Sequence, residues 1–382
     1  MTIHDKYELT PVINAAGSFT PLGVSRSSPA VGQATAEALS EFFIIDELQE
    51  AASRAIKRLW GAEAGAVTHC VAAGITVSVA AAVAGSAPER VAALPDTTGL
   101  PNRVVLPAGH AVNYGRPIVQ DIRLAGAEPV LAGTDTECKI EDIEAAISHA
   151  DTACLLLVSS RLVHGKAVDL AAAVTAAHRR GIPAIVDGAA QDMRINELLA
   201  IDPDLLLISA HKYLASPTAG LVIGKAELVA AVRAHEKGIG RGMKPTKEAI
   251  CGVLAAMEER KRLDLPAWRA IQERKVLGFV RRADALTGVS AHSIPDVAGM
   301  PFPRAHLRID NRQAQCCAPT LAQALKAGKP SIWVMEHKLD DGELVLELVQ
   351  CTEAEIETIL ARLKEALDSS ERDAEKCDAV LR

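Results

Sequence analysis

Short apolar runs alternate with amphipathic segments between about residue 50 and residue 260 of the chain. The runs are too short for buried helices and are rich in valine, leucine and isoleucine. They are GAVT (65–68), NRVVLPAG (102–109), EPVLAG (128–133), ACLLLVSS (153–160), PAIVDGAA (183–190), DLLLISAHK (204–212) and AGLVIGK (219–225). Segments with helical periodicity include ELQEAASRAIKRLWG (47–61), KIEDIEAAISHA (139–150) and DLAAAVTAAHRRG (169–181). This alternation predicts βαβ units and a mostly parallel sheet covered by helices on both faces.

The pattern changes after KEAICGVLAAMEERKRL (247–263), which predicts one long helix. Strand-like and helical segments then follow in the order AHLRID (305–310), APTLAQALKAG (318–328), SIWVME (331–336), ELVLELV (343–349) and EAEIETILARLKEAL (353–367). This order predicts a smaller α+β domain. We expect an N-terminal segment at 1–45, a large domain at 46–260 and a small domain at 261–382. The polar tail at 369–382 is expected to fray.

Composition excludes several classes of protein. A formal charge of −7 argues against nucleic acid as the main partner, because phosphate contacts need a basic face. Eight cysteines are scattered without CxxC pairs or Cys/His metal spacing, which predicts neither a metal site nor a disulfide framework. Reduced thiols in the cytoplasm are the simplest interpretation. The N-terminus lacks a secretory pattern, and no charge-free run of 18 apolar residues predicts a membrane span.

Two of the predicted core strands end in polar side chains. Asp187 ends the first strand, and Ser209, His211 and Lys212 follow the second. Ligands of parallel α/β sheets bind beyond the carboxyl ends of the strands. A lysine there can form a Schiff base with a carbonyl compound, and an aspartate beside it can keep a pyridinium nitrogen protonated. Together they indicate a pyridoxal phosphate site.

The phosphate of such a cofactor needs an anion-binding turn. THCVAAGIT (68–76) supplies a candidate, because small residues lead from a predicted strand into an alanine-rich helix whose first amides are free. Ser209 can add a hydroxyl donor to the same phosphate. His110, which follows another predicted strand, can stack on the ring or contact the substrate.

Each of these residues also has a plainer interpretation. Lys212 fits an exposed turn, Asp187 fits a helix cap, and His110 fits an ordinary loop histidine. The turn at 68–76 fits simple packing. Their occurrence in one order along the chain favours the cofactor site.

With these residues the chain resembles the fold-type I pyridoxal phosphate enzymes, in the group related to bacterial selenocysteine synthase and D-glucosaminate-6-phosphate ammonia-lyase. The resemblance covers most of the chain. It rests on VINAAGSFTPLG (12–23), DELQEAASRAIKRLWGAEAGAVTHCVAAG (46–74), AGHAVNYGRPIVQDIRLAGAEPVLAG (108–133), GIPAIVDGAAQ (181–191), DLLLISAHKYLASPTAGLVIG (204–224) and GIGRGMKPTKEAICGVLAAME (238–258). It implies an α/β, aspartate aminotransferase-like fold, with a mostly parallel seven-stranded sheet in the large domain.

The resemblance also implies roles for individual residues. Lys212 would carry the cofactor as a Schiff base, and Asp187 would contact the pyridine nitrogen. The phosphate would lie near Ser209, His211 and the backbone of two residues at the turn, Cys70 and Val71. A basic pair in GRGMK, Arg241 and Lys244, would face the substrate; a solvated basic turn is the alternative.

Three features depart from the group's pattern. Thr68-His69-Cys70-Val71 replaces the usual residues before the phosphate helix, so side-chain contacts there stay open. Met335 stands where related lyases have an arginine, and Arg161 is a candidate to hold the substrate carboxylate instead, with a plain loop arginine as the alternative. We also expect no counterpart of the N-terminal extension with which selenocysteine synthase binds its transfer RNA, because residue 12 already lies in the active-site motif.

The leading functional prediction is a pyridoxal phosphate-dependent lyase. It would eliminate ammonia from a small, hydroxylated and anionic amino acid and leave a keto acid. An aminotransferase or racemase would use the same lysine and stays an alternative. A seleno- or thio-transferase on aminoacyl transfer RNA is disfavoured by the acidic charge, and a catalytically silent cofactor-binding relative is disfavoured by the presence of both Asp187 and Lys212.

The resemblance implies a homodimer or higher homo-oligomer with shared active sites. FFIIDELQE (42–50) is the interface candidate, because it places an apolar cluster in a polar region. The same cluster would also suit an ordinary core.

Overall fold

The computed structural model describes residues 1–148 and 150–369 of the chain. By contact the chain divides into a large unit, residues 27–262, and a small unit made of residues 1–26 and the chain from Leu263 onward. The predicted boundaries at residues 45 and 260 stay a prediction about functional domains. The tail that we expected to fray lies outside the described residues from position 370.

The strands of the described residues are β1 (Val12–Ala15), β2 (Ala64–Thr68), β3 (Arg103–Pro107), β4 (Glu128–Ala132), β5 (Thr152–Val158), β6 (Ala184–Asp187), β7 (Leu205–Ser209), β8 (Gly220–Gly224), β9 (Val289–Pro295), β10 (Pro303–Ile309), β11 (Ser331–Val334) and β12 (Glu343–Leu346). The α-helices are α1 (Ile3–Lys6), α2 (Pro29–Leu39), α3 (Ile45–Trp60), α4 (Val71–Ala84), α5 (Pro88–Ala93), α6 (Val119–Leu124), α7 (Ile140–Ala146), α8 (Leu170–Arg179), α9 (Ile195–Leu199), α10 (Ala226–Ala234), α11 (Lys247–Lys261), α12 (Leu265–Ala283), α13 (Asn311–Ala314), α14 (Ala318–Ala327) and α15 (Glu353–Ser369). Short 3-10 helices lie at Thr20–Leu22, Ala108–His110, Asp192–Arg194, His235–Lys237, Ile239–Gly242 and Leu339–Asp341.

The large unit is built on a seven-stranded sheet in the order β2-β8-β7-β6-β5-β3-β4. β8 pairs antiparallel with both of its neighbours, and the other pairs are parallel. Side chains of β5 alternate between two cores, since Leu155 and Leu157 pack on one face and Cys154 and Leu156 on the other. The predicted α/β fold with a mostly parallel seven-stranded sheet is therefore confirmed.

Some helices of the large unit begin or end at capping residues. α3 carries acidic residues in its first turn and ends at Gly61, whose φ of 74° lies in the left-handed region that glycine adopts without strain. α2, which the sequence analysis missed, begins after the side-chain cap of Ser28. The segment that follows it is apolar and open, since Phe42 is fully exposed and Ile44 is 64% exposed. Within the described chain these two residues are not part of a core.

The small unit combines a three-stranded antiparallel sheet, β12-β10-β9, with a parallel pair of β1 and β11. Helices α12, α14 and α15 pack their apolar side chains against these strands. Met335, at the position where we looked for an arginine, is buried and donates its backbone N–H to Val345 O at 2.9 Å. Across the described residues of both units, the helices lack the length and apolar character that a bilayer crossing would need.

Candidate active site

Asp187 is the last residue of β6 and is 5% exposed. Its Oδ1 accepts a hydrogen bond from the backbone N–H of Ala189 at 2.9 Å. Burial raises the pKa of Asp187 to about 6, although the charge of Lys212 and the bond from Ala189 act in the opposite direction. A carboxylate in this state would be stabilised by a cation at the end of the strand.

The neighbouring strand β7 ends in Ser209, and its backbone fixes the turn that carries the predicted lysine. Ser209 donates its N–H to Ala189 O at 3.1 Å, and Lys212 donates its own N–H to Ser209 O at 3.3 Å. The Ser209 Oγ lies 3.3 Å from His211 Nδ1, which is also 3.0 Å from Ala219 O. The chain after β7 is therefore tied to the chain after β6.

Lys212 is partly buried at this edge of the sheet. Burial lowers the pKa of Lys212, the nearby charges of Asp187 and Asp192 oppose that shift, and the charge of Arg161 adds to it. At this position the neutral amine of Lys212 is therefore more favourable than it would be for a lysine on an exposed surface.

His110 lies in the 3-10 turn after β3 and is 2% exposed. The backbone N–H of Val158 donates to its Nδ1 at 2.9 Å, so the ring proton of the neutral histidine is on Nε2. Burial lowers the pKa of His110 to about 4, and the ring is neutral at pH 7. Val158 pairs with Asp187 across β5 and β6, so the histidine belongs to the same edge as the aspartate.

The predicted phosphate turn leads from β2 into α4. Cys70 is the cap residue, and its Sγ accepts the N–H of Ala73 at 3.5 Å. The amides of Val71 and Ala72 have no hydrogen-bond partner among the described residues. An added Cβ on Gly220 would lie 2.6 Å from the carbonyl carbon of Cys70, so only glycine lets β8 approach the turn this closely.

The basic pair Arg241 and Lys244 is exposed in the loop that contains the 3-10 turn at Ile239–Gly242. Met243, between them, accepts the N–H of His69 at 2.9 Å. The loop therefore lies directly beside the phosphate turn.

Sequence reasoning missed a polar cluster that follows His110. Tyr114 donates its hydroxyl to Asp121, a fully buried carboxylate that also pairs with Arg116. Burial raises the pKa of Tyr114, Arg116 opposes this shift, and the charge of Asp187 adds to it, so the phenol is within electrostatic reach of Asp187. Nothing in the local pattern distinguishes this tyrosine from a loop residue.

The carboxyl edge of the sheet brings together most of the residues predicted for the cofactor. These are Cys70, Val71, His110, Asp187, Ser209, His211 and Lys212. Arg161 is near enough for its charge to act on Lys212, while Arg241 and Lys244 are connected to this edge through the turn at His69. The role of each residue toward a cofactor or substrate stays a prediction.

Comparison with known proteins decides the family. Residues 123–249 match the model of the aminotransferase class-V family. The chain is 34% identical to the 5'-C-glycyluridine monooxygenase-decarboxylase of a Streptomyces species, over 94% of this chain and 90% of the relative. It is 32% identical to the D-glucosaminate-6-phosphate ammonia lyase of Salmonella typhimurium, over 95% of this chain and 97% of that relative. A solved structure of D-glucosaminate-6-phosphate ammonia-lyase superposes with a TM-score of 0.88 at 32% identity and covers 97% of this chain and 99% of that one.

The chain belongs to this family of fold-type I pyridoxal phosphate-dependent enzymes. The L-seryl-tRNA(Sec) selenium transferase of Nitratidesulfovibrio vulgaris is a more distant relative, 24% identical over 93% of this chain and 81% of that protein. The resemblance proposed from the sequence is thereby confirmed.

The site fits pyridoxal phosphate on its own chemistry. The buried carboxylate of Asp187 suits a pyridinium, and the unpartnered amides of Val71 and Ala72 suit a phosphate. Gly220 keeps the space beside the turn free of a side chain. Lys212 would supply the amine that a cofactor aldehyde requires.

Proposed function

We propose that this chain is a lyase that releases ammonia and a keto acid from a small, hydroxylated and anionic amino acid. The observation that carries the proposal is the pair of Asp187 and Lys212 at the ends of neighbouring strands, in a chain 32% identical to a D-glucosaminate-6-phosphate ammonia lyase. Pyridoxal phosphate, when bound, withdraws electrons from the substrate's α-carbon and so acidifies its proton.

Lys212 would take that proton at Nζ. Its pKa is lowered by burial, which favours the neutral amine that a general base needs at physiological pH. Loss of the β-hydroxyl as water and hydrolysis of the remaining enamine then give the keto acid and ammonia. The other members of the site would orient the reactants rather than transfer this proton.

Asp187, Ser209 and the first amides of α4 would hold the cofactor at its nitrogen and its phosphate. His110 presents a donor at Nε2 in a fixed tautomer, which suits a contact with the cofactor or with a substrate oxygen. His211 would support the phosphate side through its position next to Ser209.

Anionic groups of the substrate would be bound by three cations. Arg241 and Lys244 lie beside the phosphate turn, and Arg161 acts on Lys212. Arginine matches a carboxylate or phosphate by two parallel hydrogen bonds, whereas lysine acts as a point charge.

A second candidate function is an oxidative decarboxylation, since a relative with 34% identity is named a monooxygenase-decarboxylase. The two candidates consume different reactants. Elimination needs no oxygen and releases ammonia, whereas a monooxygenase consumes oxygen and a decarboxylase releases carbon dioxide.

The test is a product assay on the holoenzyme with D-glucosaminate 6-phosphate and a panel of small hydroxy amino acids with and without phosphate. We expect ammonia and keto acid in equal amounts without oxygen uptake, and no product from Lys212→Ala. Oxygen consumption with carbon dioxide release would establish the second candidate instead. Exchange of the amino group with a keto acid acceptor would indicate an aminotransferase.

We also propose that the protein works as a homodimer or a multiple of it. The support is the apolar patch formed by Leu39, Phe42, Phe43, Ile44 and Ile45, all exposed in the single chain. Light scattering after size exclusion should give a multiple of 40.3 kDa, and Phe42→Ser with Ile44→Ser should shift the mass downward. A single-chain mass for the unaltered protein at micromolar concentration would refute the proposal.

A cytoplasmic location is proposed as well. Its support is that Cys70, Cys138, Cys154, Cys251 and Cys351 are free thiols. Cell fractionation with an antibody to the protein would test it, and recovery from an exported fraction would contradict it.

A further inference from the structure

Arg260, near the end of α11, connects the two loops that carry the predicted cofactor residues. Its Nη1 donates to Asp192 O at 2.9 Å and its Nη2 to Asp192 Oδ2 at 2.8 Å. The same Nη2 also donates to Tyr213 O at 3.1 Å. Asp192 lies a few residues after Asp187, and Tyr213 directly follows Lys212. One guanidinium therefore bonds the chain beyond β6 to the chain beyond β7.

Asp192 is 2% exposed, and its second oxygen, Oδ1, has no hydrogen-bond partner among the described residues. Burial raises the pKa of Asp192, while the hydrogen-bonded charge of Arg260 and the charge of Lys212 act in the opposite direction. A buried acceptor without a donor destabilises the folded state. The ion pair with Arg260 therefore does not by itself explain a buried carboxylate at this position. The second oxygen therefore keeps the capacity to accept a hydrogen bond.

The charged groups that act on Lys212 come from several elements. Asp187 lies at the end of β6, Asp192 in the 3-10 turn after it, and Arg161 in the loop after β5. His211 is the adjacent titratable residue, and its pKa is lowered by burial and in part by the lysine's charge. Lys212 forms no ion pair with a described residue, so the two acids act on it through space.

We propose that Arg260 and Asp192 form a clamp that positions Lys212: Arg260 fixes the lysine's turn through Tyr213, and the charge of Asp192 stabilises the ammonium form of the lysine. The clamp rests on the function proposed above, because it matters only if Lys212 is the reactive amine. Asp192 and Arg260 are positioning residues, since they act through Lys212. In the working enzyme the charge of Asp192 stabilises the ammonium when the lysine has accepted a proton and is not attached to the cofactor.

The experiment measures the reactivity of Lys212 itself. The whole chain, freed of cofactor with hydroxylamine, is acetylated with a trace of acetic anhydride from about pH 6 to about pH 11, and mass spectrometry follows the Lys212 peptide. The peptide of exposed Lys57 is the internal reference. Asp192→Asn removes the charge with little change in shape. Glu197→Gln is the matched control, because Glu197 is 64% exposed and pairs with Arg194 on the surface.

We expect Asp192→Asn to lower the pH midpoint of Lys212 acetylation by about one unit, so that the lysine reacts about tenfold faster on the acid side. Glu197→Gln should keep the midpoint of the unaltered chain. A merely structural defect would slow labelling or expose the lysine, and neither produces this downward shift. An unchanged midpoint in folded Asp192→Asn would overturn the role of the charge.

Arg260→Lys tests the clamp even if Asp192→Asn does not fold. It keeps the positive charge but loses the planar fork that reaches both loops. The turn should loosen and the midpoint should rise toward that of Lys57, opposite in direction to Asp192→Asn. An unchanged midpoint would overturn the clamp. This outcome is distinct from failure of the proposed function, which would show in the product assay as the absence of ammonia and keto acid. It is also distinct from failure of Lys212 as the reactive amine, which would show as a cofactor absorption band that survives in Lys212→Ala.

Discussion

The seven-stranded sheet has one buried aspartate at the amino ends of its strands and another at the carboxyl ends, and the two differ in their number of hydrogen-bond partners. Asp204 lies just before β7, at the amino ends of the strands. It accepts hydrogen bonds from His178 Nε2 at 2.8 Å and from the N–H of Ala184 at 2.6 Å, and it forms an ion pair with Lys225 Nζ at 2.6 Å. Asp187, at the carboxyl edge, is bonded to a single backbone N–H among the described residues. Both are 5% exposed, so burial alone does not distinguish them.

The pKa values of the two acids move in opposite directions. Burial would raise the pKa of Asp204, but the hydrogen bonds from Lys225, Ala184 and His178 lower it overall. At Asp187 burial prevails and the pKa rises to about 6. Asp204, with three donors, stabilises the fold, whereas Asp187, with one backbone donor, keeps the capacity to accept hydrogen bonds from a ligand.

Asp187→Asn should give the largest effect on activity. We expect kcat to fall about a thousandfold, or about 4 kcal/mol, because the amide cannot balance a pyridinium charge. The cofactor-free variant should melt above the unaltered chain at pH 7. The folded state of the unaltered chain holds the Asp187 proton more tightly than the unfolded state, so its stability falls as the pH rises from about 4 to about 6. Steady-state kinetics and melting curves at pH 4 and pH 7 check both expectations. Equal kcat in Asp187→Asn and the unaltered chain would contradict the distinction drawn between Asp187 and Asp204.

Asp204→Asn should show the reverse pattern. The substitution removes the negative charge to which three donors are bonded. It should lower the free energy of unfolding by about 3 kcal/mol and leave kcat nearly unchanged. Because its folded pKa is lowered, this contribution is present above about pH 4 and is lost as the pH falls through the folded value. Denaturant titrations at neutral and acid pH measure it, and a stability difference that grows in acid would contradict the sign.

His110→Phe should leave the buried N–H of Val158 without an acceptor. The expected cost is about 2 kcal/mol of unfolding free energy. His110→Asn is the matched control, since its amide oxygen can take the place of Nδ1 and should recover most of that stability. Equal loss in both variants would mean that ring packing, not the bond, stabilises this edge.

Arg241→Ala and Lys244→Ala should have the smallest effect. Each should raise KM for an anionic substrate about tenfold, or about 1.4 kcal/mol, with kcat nearly constant. Lys237→Ala, an exposed lysine in the preceding 3-10 turn, is the control. A drop in kcat at constant KM would place the pair in the chemical step rather than in binding.

The strands of the large unit could be predicted from its short apolar runs, because parallel strands buried on both faces leave that pattern, whereas α2 was missed. Asp187 and Lys212 were predicted as site residues by the same reasoning, since each lies at or just after the end of such a run. Helix α12 was missed although Asp264 caps it and Gln272, Val276, Phe279 and Ala283 recur at helical spacing on its buried face.

The rest of the site depends on contacts between distant parts of the chain. Arg260 is bonded to Asp192 across 68 positions, and the charge of Asp187 acts on Tyr114 only because the fold brings the two residues near each other. Local periodicity carries no information about such pairs, and a single sequence offers no other signal for contacts between distant residues. The exposure of the apolar patch after α2 likewise appears only when the core around it is known.

The central claim is that Asp187 and Lys212 hold one pyridoxal ring at the carboxyl edge of the sheet. The most direct measurement is the absorption spectrum of the purified protein with added pyridoxal phosphate, beside Lys212→Ala and a surface control, Lys57→Ala. We predict a visible band in the unaltered chain and the control that borohydride abolishes, and none in Lys212→Ala. A band that persists in Lys212→Ala, or that never forms with excess cofactor, would contradict the account.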